Sequence, residues 1–132
     1  MKKLFIICIM ALVASVTFAE DKPFITHVTL TTYNAVASQC DNTPLITADG
    51  TKIDMKKLKN GEIKYCAVSR DLLEDIPFGS VVYIEGHGVY EVRDTMNKRF
   101  NHYIDILQHH SQKNFKKEKI RVQVIKKGSK KR

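Results

Sequence analysis

Apolar and polar residues alternate along most of the chain after Pro23, and this period of two is typical of half-buried β-strands. The alternating segments are rich in β-branched and aromatic residues, which favour strands. Glycine, proline and asparagine interrupt them at short intervals, as in a protein built from many short strands. Strands are predicted over residues 24–34, 62–69, 80–85, 88–94, 102–107 and 119–127.

Turns and short helices connect these predicted strands. Gly86-His87-Gly88 separates two of them so closely that a β-hairpin is predicted. Residues 35–50 hold polar residues and proline without apolar periodicity, so a long loop is predicted, and such loops usually carry function. The pattern lacks the helices that would connect parallel strands in an α/β sheet. It therefore predicts a mainly β fold, a small closed or nearly closed β-barrel. Short helical segments are predicted at 53–59, 70–75 and 111–117.

The N-terminal segment differs in composition from the rest of the chain. Lys2 and Lys3 precede an apolar run over residues 4–16, and Thr17-Phe18-Ala19 supplies a small-residue cleavage signal. Residues 1–19 are thus predicted to be a signal peptide, which places the mature chain in the periplasm or cell envelope. The apolar run is short for a membrane span and no second run follows, so we expect an exported protein without stable membrane insertion.

A single domain is expected over residues 20–125, followed by a basic tail at 126–132. The formal net charge is +8, and five positively charged side chains lie in that tail. A terminal basic run beside glycine and serine is typical of a solvated tail. Since no aromatic and basic platform accompanies it, nucleic acid is not expected as a partner. An anionic polymer of the cell envelope is the better candidate.

Two cysteines, Cys40 and Cys66, remain after removal of the signal peptide. In an oxidising exported compartment a disulfide between them is favoured, with two free thiols as the alternative. Neither cysteine has the Cys-x-x-Cys spacing of a structural zinc site. We therefore expect no metal and no cofactor.

Two aspartates occupy positions where the alternation would place apolar side chains. Asp94 ends a predicted strand on the face of Val92, and Asp105 shares a face with Leu107 while Ile106 points the other way. A carboxyl group between apolar neighbours loses hydration, which raises its pKa and suits a general acid near neutral pH. The alternative is that each aspartate caps a turn or accepts backbone hydrogen bonds.

Other chemistries fit the sequence less well. Asp105 with nearby histidines would make a metal site, but two of those histidines are adjacent and diverge on a regular element. A nucleophilic Cys66 is disfavoured, because a strand cysteine in an exported protein is usually paired or buried. Asp94-Thr95 is similar to half of an aspartic-protease site, which needs a second such turn. The histidines concerned are His102, His109 and His110.

Six short motifs occur in an order and spacing that together resemble the three-aspartate (3D) domain. This family includes the stationary-phase survival proteins, and its fold is related to the catalytic part of membrane-bound lytic transglycosylase A. The resemblance covers most of the mature chain, from about Thr31 to Val124. The motifs are TTYN (31–34), TADG (47–50), CAVS (66–69), IPFGS (76–80), YIEGHGVYEVRDT (83–95) and YIDIL (103–107).

The resemblance implies a six-stranded double-psi β-barrel that cleaves the glycan strands of peptidoglycan without metal or water. The family aspartate matching Asp105 protonates the glycosidic oxygen between N-acetylmuramic acid and N-acetylglucosamine. It then activates the sugar's own C6 hydroxyl, which gives a 1,6-anhydro product. Asp94 matches a neighbouring aspartate that supports the positive charge at the anomeric carbon. Thr47 and Asp49 match a turn that lines the groove, and Tyr33, from the first motif, is a further candidate for substrate binding.

The first family aspartate has two candidate counterparts. Aligning on Ala67-Val68 places Ser69 there, and aligning on Ile76-Pro77 places Asp71 within one residue of it, so both are candidate substrate-binding residues.

Two other functions stay open beside lytic cleavage. One is a peptidoglycan-binding or wall-loosening barrel without efficient chemistry, and the other is an interaction module without a sugar ligand.

Overall fold

The computed structural model of the protein describes residues 22–34 and 46–129. The predicted signal peptide, Cys40 and the end of the predicted basic tail lie outside these residues. Within the described ranges, six strands lie at or near the segments that alternate in the sequence. They are β1 (Ile25–Asn34), β2 (Tyr65–Val68), β3 (Val81–Ile84), β4 (Gly88–Thr95), β5 (Tyr103–Gln108) and β6 (Lys116–Lys126).

These strands close into a barrel in the order β1-β5-β2-β4-β3-β6. Pairing is parallel between β1 and β5 and between β2 and β4, and antiparallel between the other neighbours. The hairpin predicted around Gly86-His87-Gly88 joins β3 to β4. A mainly β fold with a closed six-stranded barrel is therefore confirmed. Closure pairs both edges of every strand and leaves no long open edge.

The barrel interior is filled by the apolar side chains that alternate along each strand. Val92, Cys66 and Ile104, on three neighbouring strands, are each 0% exposed. Full burial of one apolar side chain of this size contributes about 1.5–3 kcal/mol. The strand residues of this interior are Val28, Leu30, Cys66, Val68, Val82, Ile84, Val92, Ile104, Ile106, Val122 and Val124.

A second apolar cluster lies outside the barrel, between β5 and a short helix. Helix α1 (Met55–Asn60) buries Leu58 in a cluster with Leu107. Asp54 caps the first turn by accepting hydrogen bonds from two backbone N–H groups, and Gly61 ends the helix in the left-handed conformation, with φ +78°. This confirms the first of the predicted helical segments.

The other two predicted helical segments differ in outcome. The second is a single 3-10 turn, Arg70–Leu72, whereas the helix predicted at 111–117 is wrong. These residues form a turn and then the start of β6, because Lys116 pairs with Thr31 of β1. Strand pairing across the barrel thus outweighs local helix propensity. Among the residues that the structure describes, no helix is long and apolar enough to cross a membrane.

The residues that follow β6 lie against the turn that precedes β3. The backbone N–H of Gly128 donates to Ser80 Oγ at 2.9 Å. A Cβ atom at position 128 would collide with the backbone of Phe78 and Ser80. The described part of the predicted basic tail is therefore in contact with the barrel.

Candidate active site

The two aspartates singled out by the sequence lie in one row of residues that crosses the barrel wall. Asp94 on β4 is opposite Ala67 on β2, Ala67 is opposite Asp105 on β5, and Asp105 is opposite Thr31 on β1. Neighbouring strands are about 4.8 Å apart, so the two aspartate backbones are separated by about 10 Å. In the strand register Ala67 lies between them, and both carboxylates line the same cavity.

A register shift in the barrel wall brings Asp94 to this face. Cys66 pairs with Val92, but the next residue, Ala67, pairs with Asp94, so β4 has one extra residue at this point. Val92 points into the barrel interior, whereas Asp94 points out of it beside Ala67. The expectation that Asp94 shares the face of Val92 is therefore wrong. The assignment for Asp105 is confirmed, since Leu107 lies in the outer cluster.

Asp105 has few hydrogen-bond donors. Among the described residues, the hydroxyl of Thr31 donates to its Oδ1 at 2.7 Å. Burial raises the pKa of Asp105, the hydrogen bond from Thr31 lowers it, and the negative charge of Asp94 raises it again. The net pKa lies above the usual range, as a general acid requires.

Asp94 accepts more hydrogen bonds than Asp105. Its Oδ1 accepts from the backbone N–H groups of Ala48 and Thr95, each at 2.9 Å, and its Oδ2 accepts from the hydroxyl of Tyr33 at 3.2 Å. Burial raises the pKa of Asp94 and these three hydrogen bonds lower it, but the net pKa still lies above the usual value. Since hydrogen-bond donors favour the ionised form, Asp94 is the better placed of the two carboxyl groups to stay charged.

Tyr33 connects the outer cluster to the carboxylates. Its ring packs against the cluster around Leu107, and its hydroxyl donates to Asp94. Burial and the nearby charge of Asp94 raise the pKa of Tyr33 well above its usual value. Tyr33 therefore remains a protonated donor that holds one oxygen of Asp94 in place.

Thr47 and Asp49 act through the turn that carries Ala48. Asp49 Oδ1 accepts from the hydroxyls of Thr47 and Thr51, each at 2.6 Å, and its Oδ2 faces the guanidinium of Arg93 at 3.3 Å. Burial raises the pKa of Asp49, but the hydrogen bonds outweigh it and the net pKa is lowered. Asp49 is therefore an ionised residue that stabilises the turn. This turn positions the backbone N–H of Ala48 to donate to Asp94.

Neither candidate for the first family aspartate lines the cavity between Asp94 and Asp105. Ser69 is 0% exposed, and its Oγ accepts from the backbone N–H of Tyr103 at 3.0 Å. The carboxylate of Asp71 accepts from the backbone N–H of His102, also at 3.0 Å. Both side chains therefore hold the start of β5, and no third carboxylate from either position reaches the cavity.

The cavity has a volume of about 480 Å³ and extends beyond the residues that the sequence predicts. Ala67 on β2 lines it, as do Thr31 and Thr32 of β1. Asn97 and Phe100, in the segment after β4, also line it. Thr31 was within reach of sequence reasoning, because it lies two residues from Tyr33 on the same strand face, but Phe100 lies in an irregular segment without a periodic signal.

Cysteine and metal chemistry receive little support from the described residues. The thiol of Cys66 lies inside the barrel, and burial together with the charges of Asp105 and Asp94 raises its pKa. A neutral buried thiol is a poor nucleophile. Since Cys40 lies outside the described ranges, the disulfide stays a prediction. Within those ranges, no group of three or more metal-binding side chains is placed to hold an ion.

The site as a whole combines two carboxyl groups in unequal surroundings. Both are half-buried, but among the described residues Asp105 receives one side-chain hydrogen bond, from a hydroxyl group, whereas Asp94 receives three hydrogen bonds. Pairs of this kind divide into a proton donor and a carboxylate that stays ionised. No family model matches the chain, and no curated protein is significantly similar to it.

Proposed function

We propose that the protein is a lytic transglycosylase of the 3D-domain type, which cleaves peptidoglycan glycan strands in the cell envelope. The observation that carries this proposal is the shared cavity of Asp94 and Asp105, whose hydrogen bonding and charge suit them to different roles. Carboxyl pairs with divided roles are the usual means of cleaving glycosidic bonds. The cavity, at about 480 Å³, has the volume typical of small-molecule subsites.

In the proposed mechanism, protonated Asp105 gives its proton to the glycosidic oxygen as the bond to the anomeric carbon of N-acetylmuramic acid breaks. Ionised Asp94 stabilises the positive charge that develops at that carbon. The C6 hydroxyl of the same sugar then attacks the anomeric carbon and gives its proton to the Asp105 carboxylate. The products are a free N-acetylglucosamine end and a 1,6-anhydro end, and Asp105 is protonated again.

The fold supports the same proposal at a finer level. The proposal includes a double-psi topology for the barrel. The two parallel strand pairings and the non-sequential strand order of the described barrel support it. The motif containing Thr47 and Asp49 supplies a backbone donor to Asp94, which fits its place beside the groove in the family. A signal peptide over residues 1–19 would bring the enzyme to its polymer.

A second candidate function is a peptidoglycan-binding barrel without efficient chemistry. The specific observation in its favour is that Ser69 and Asp71 both hold β5 and do not line the cavity. Such a protein would keep the groove and bind the glycan strand, but it would release no product.

The test uses purified full-length mature protein and isolated peptidoglycan sacculi. We expect the wild type to release 1,6-anhydro muropeptides and Asp105→Asn to lose at least about a thousandfold in rate, because the acid is removed. Asp75→Asn, at an exposed position, is the matched control and should keep full activity. Pull-down with sacculi should be the same for all three proteins. Wild-type protein that binds sacculi and releases nothing would support the binding function instead.

A further inference from the structure

A second cavity lies at the opposite end of the strands that carry the carboxylates. It has a volume of about 330 Å³, and Lys64, Tyr90 and Gln108 are among its lining residues. Lys64 precedes β2, Tyr90 lies early in β4, and Gln108 ends β5, which runs antiparallel to β2. Asp94 is four residues beyond Tyr90 on β4, so about 13 Å separates these two residues along the strand, and on β5 Leu107, which lines the second cavity, is two residues from Asp105.

Three flat rings contribute to the lining of this second cavity. Tyr90, Phe115 and His87 all line it, and the rings of His87 and Phe115 stack with centroids 5.2 Å apart and planes inclined by 18°. Burial and the nearby ammonium group of Lys117 lower the pKa of His87. The imidazole is therefore uncharged near neutral pH, and the cavity offers ring faces against which aliphatic groups pack.

Lysine side chains surround these rings. Lys64 Nζ lies 5.7 Å from the ring centroid of Tyr90, and Lys117 Nζ lies 5.1 Å from that of Phe115. Lys59, near the end of α1, also lines the cavity. Among the described lining residues there is no aspartate or glutamate. The cavity thus attracts anions that also carry an apolar portion.

We propose that this basic aromatic cavity binds the acidic peptide branch of the glycan strand, with a carboxylate of the branch at Lys59 and Lys64. This inference rests on the proposed function, because the branch is attached to the sugar that would occupy the cavity of Asp105. An extended peptide spans about 3.3–3.6 Å per residue, so a branch of about four residues covers the 13 Å from Asp94 to Tyr90. The aliphatic parts of the branch lie against Tyr90 and Phe115.

Binding is tested with the dipeptide L-Ala-D-Glu and the full mature chain, by NMR titration. We expect shifts at Lys64, Tyr90 and Gln108, and Lys64→Met should weaken binding about tenfold because it removes a charged hydrogen-bond donor and keeps the apolar stem. Lys56→Met removes the same charge from the exposed side of α1 and should bind like the wild type. The same loss of affinity in both variants, or shifts elsewhere alone, would overturn the inference.

A cleavage assay distinguishes a failure of the peptide site from a failure of the proposed function. Glycan strands with intact peptides and strands stripped of them by an amidase are compared as substrates. We expect the wild type to have a higher kcat/KM on the intact strands, and Lys64→Met to lose that preference while it cleaves stripped strands at the wild-type rate. Equal cleavage of both substrates by the wild type would overturn the peptide site alone. Cleavage of neither, with Lys64-dependent binding of the dipeptide, would contradict the proposed function and support the peptide site.

Discussion

Asp105 and Asp94 have the same side chain and differ only in what surrounds them. Asp105 receives a hydrogen bond from Thr31, whereas Asp94 receives two from backbone N–H groups and one from Tyr33. Both pKa values are raised by burial, and three hydrogen bonds to the ionised form oppose the rise at Asp94 but one does so at Asp105. The division between acid and charged neighbour therefore follows from the local donors.

This difference predicts how Thr31 affects the pH dependence of cleavage. Asp105 must be protonated to act as an acid, so activity falls as the pH rises through its pKa. The hydrogen bond from Thr31 lowers that pKa, so Thr31→Val should raise it and move the falling limb of the kcat/KM profile to higher pH. Thr32→Val is the control, since Thr32 donates to Asn114 and not to Asp94 or Asp105. A limb that stays in place in Thr31→Val would contradict the role given to Asp105.

At the scale of secondary structure, the register shift between β2 and β4 decides the geometry of the site. Without it Asp94 would follow Val92 into the barrel interior, away from Asp105. With it the two carboxylates flank Ala67, whose small side chain leaves the space between them open. The register shift therefore places carboxylates from two different strands, β4 and β5, in one cavity.

Ala67→Leu tests that arrangement. A leucine side chain at position 67 would occupy the cavity between Asp94 and Asp105 and displace the substrate or one carboxylate. Small misplacements of this kind cost about a hundredfold in rate. We expect kcat/KM on sacculi to fall by about that factor, whereas Ala67→Ser should keep most of the activity. Thermal melting of both variants checks that the barrel is intact. Full activity in a folded Ala67→Leu protein would show that the row is not the site.

The shift also explains which features could be predicted from the sequence. A period of two identifies strands and gave the correct face for Asp105, because β5 is regular there. The same rule predicted the wrong face for Asp94, because β4 has an extra residue where it pairs with β2. The alternation of apolar and polar residues within β4 does not reveal this extra residue. The helix predicted at 111–117 failed for a related reason, since pairing of β6 with β1 overrides local propensity.

Across the whole molecule, closure of the barrel depends on contacts between distant segments. The sequence predicts a small β-barrel from strand length and composition, but the order of the strands depends on contacts that no local pattern encodes. Gly128 makes one such contact, with Phe78 and Ser80 in the segment before β3. Nothing in the basic tail sequence distinguishes it from a solvated end.

Gly128→Ala should therefore destabilise the folded protein. The added methyl group meets backbone atoms, which move less readily than side chains, and overpacking of this kind typically costs about 1–3 kcal/mol. Denaturant unfolding measures the change, with Ser129→Ala at a neighbouring exposed position as the control. Equal free energies of unfolding in the two variants would mean that the end of β6 does not contribute to barrel stability.

In the proposed mechanism, Asp105 directs the sugar's own hydroxyl, and not water, to the anomeric carbon. Mass spectrometry of the products released from sacculi in water enriched in heavy oxygen tests this step directly. We expect muramic ends that are lighter by one water than the hydrolysis product and contain no heavy oxygen, with release lost in Asp105→Asn. Incorporation of heavy oxygen at the anomeric carbon would contradict it.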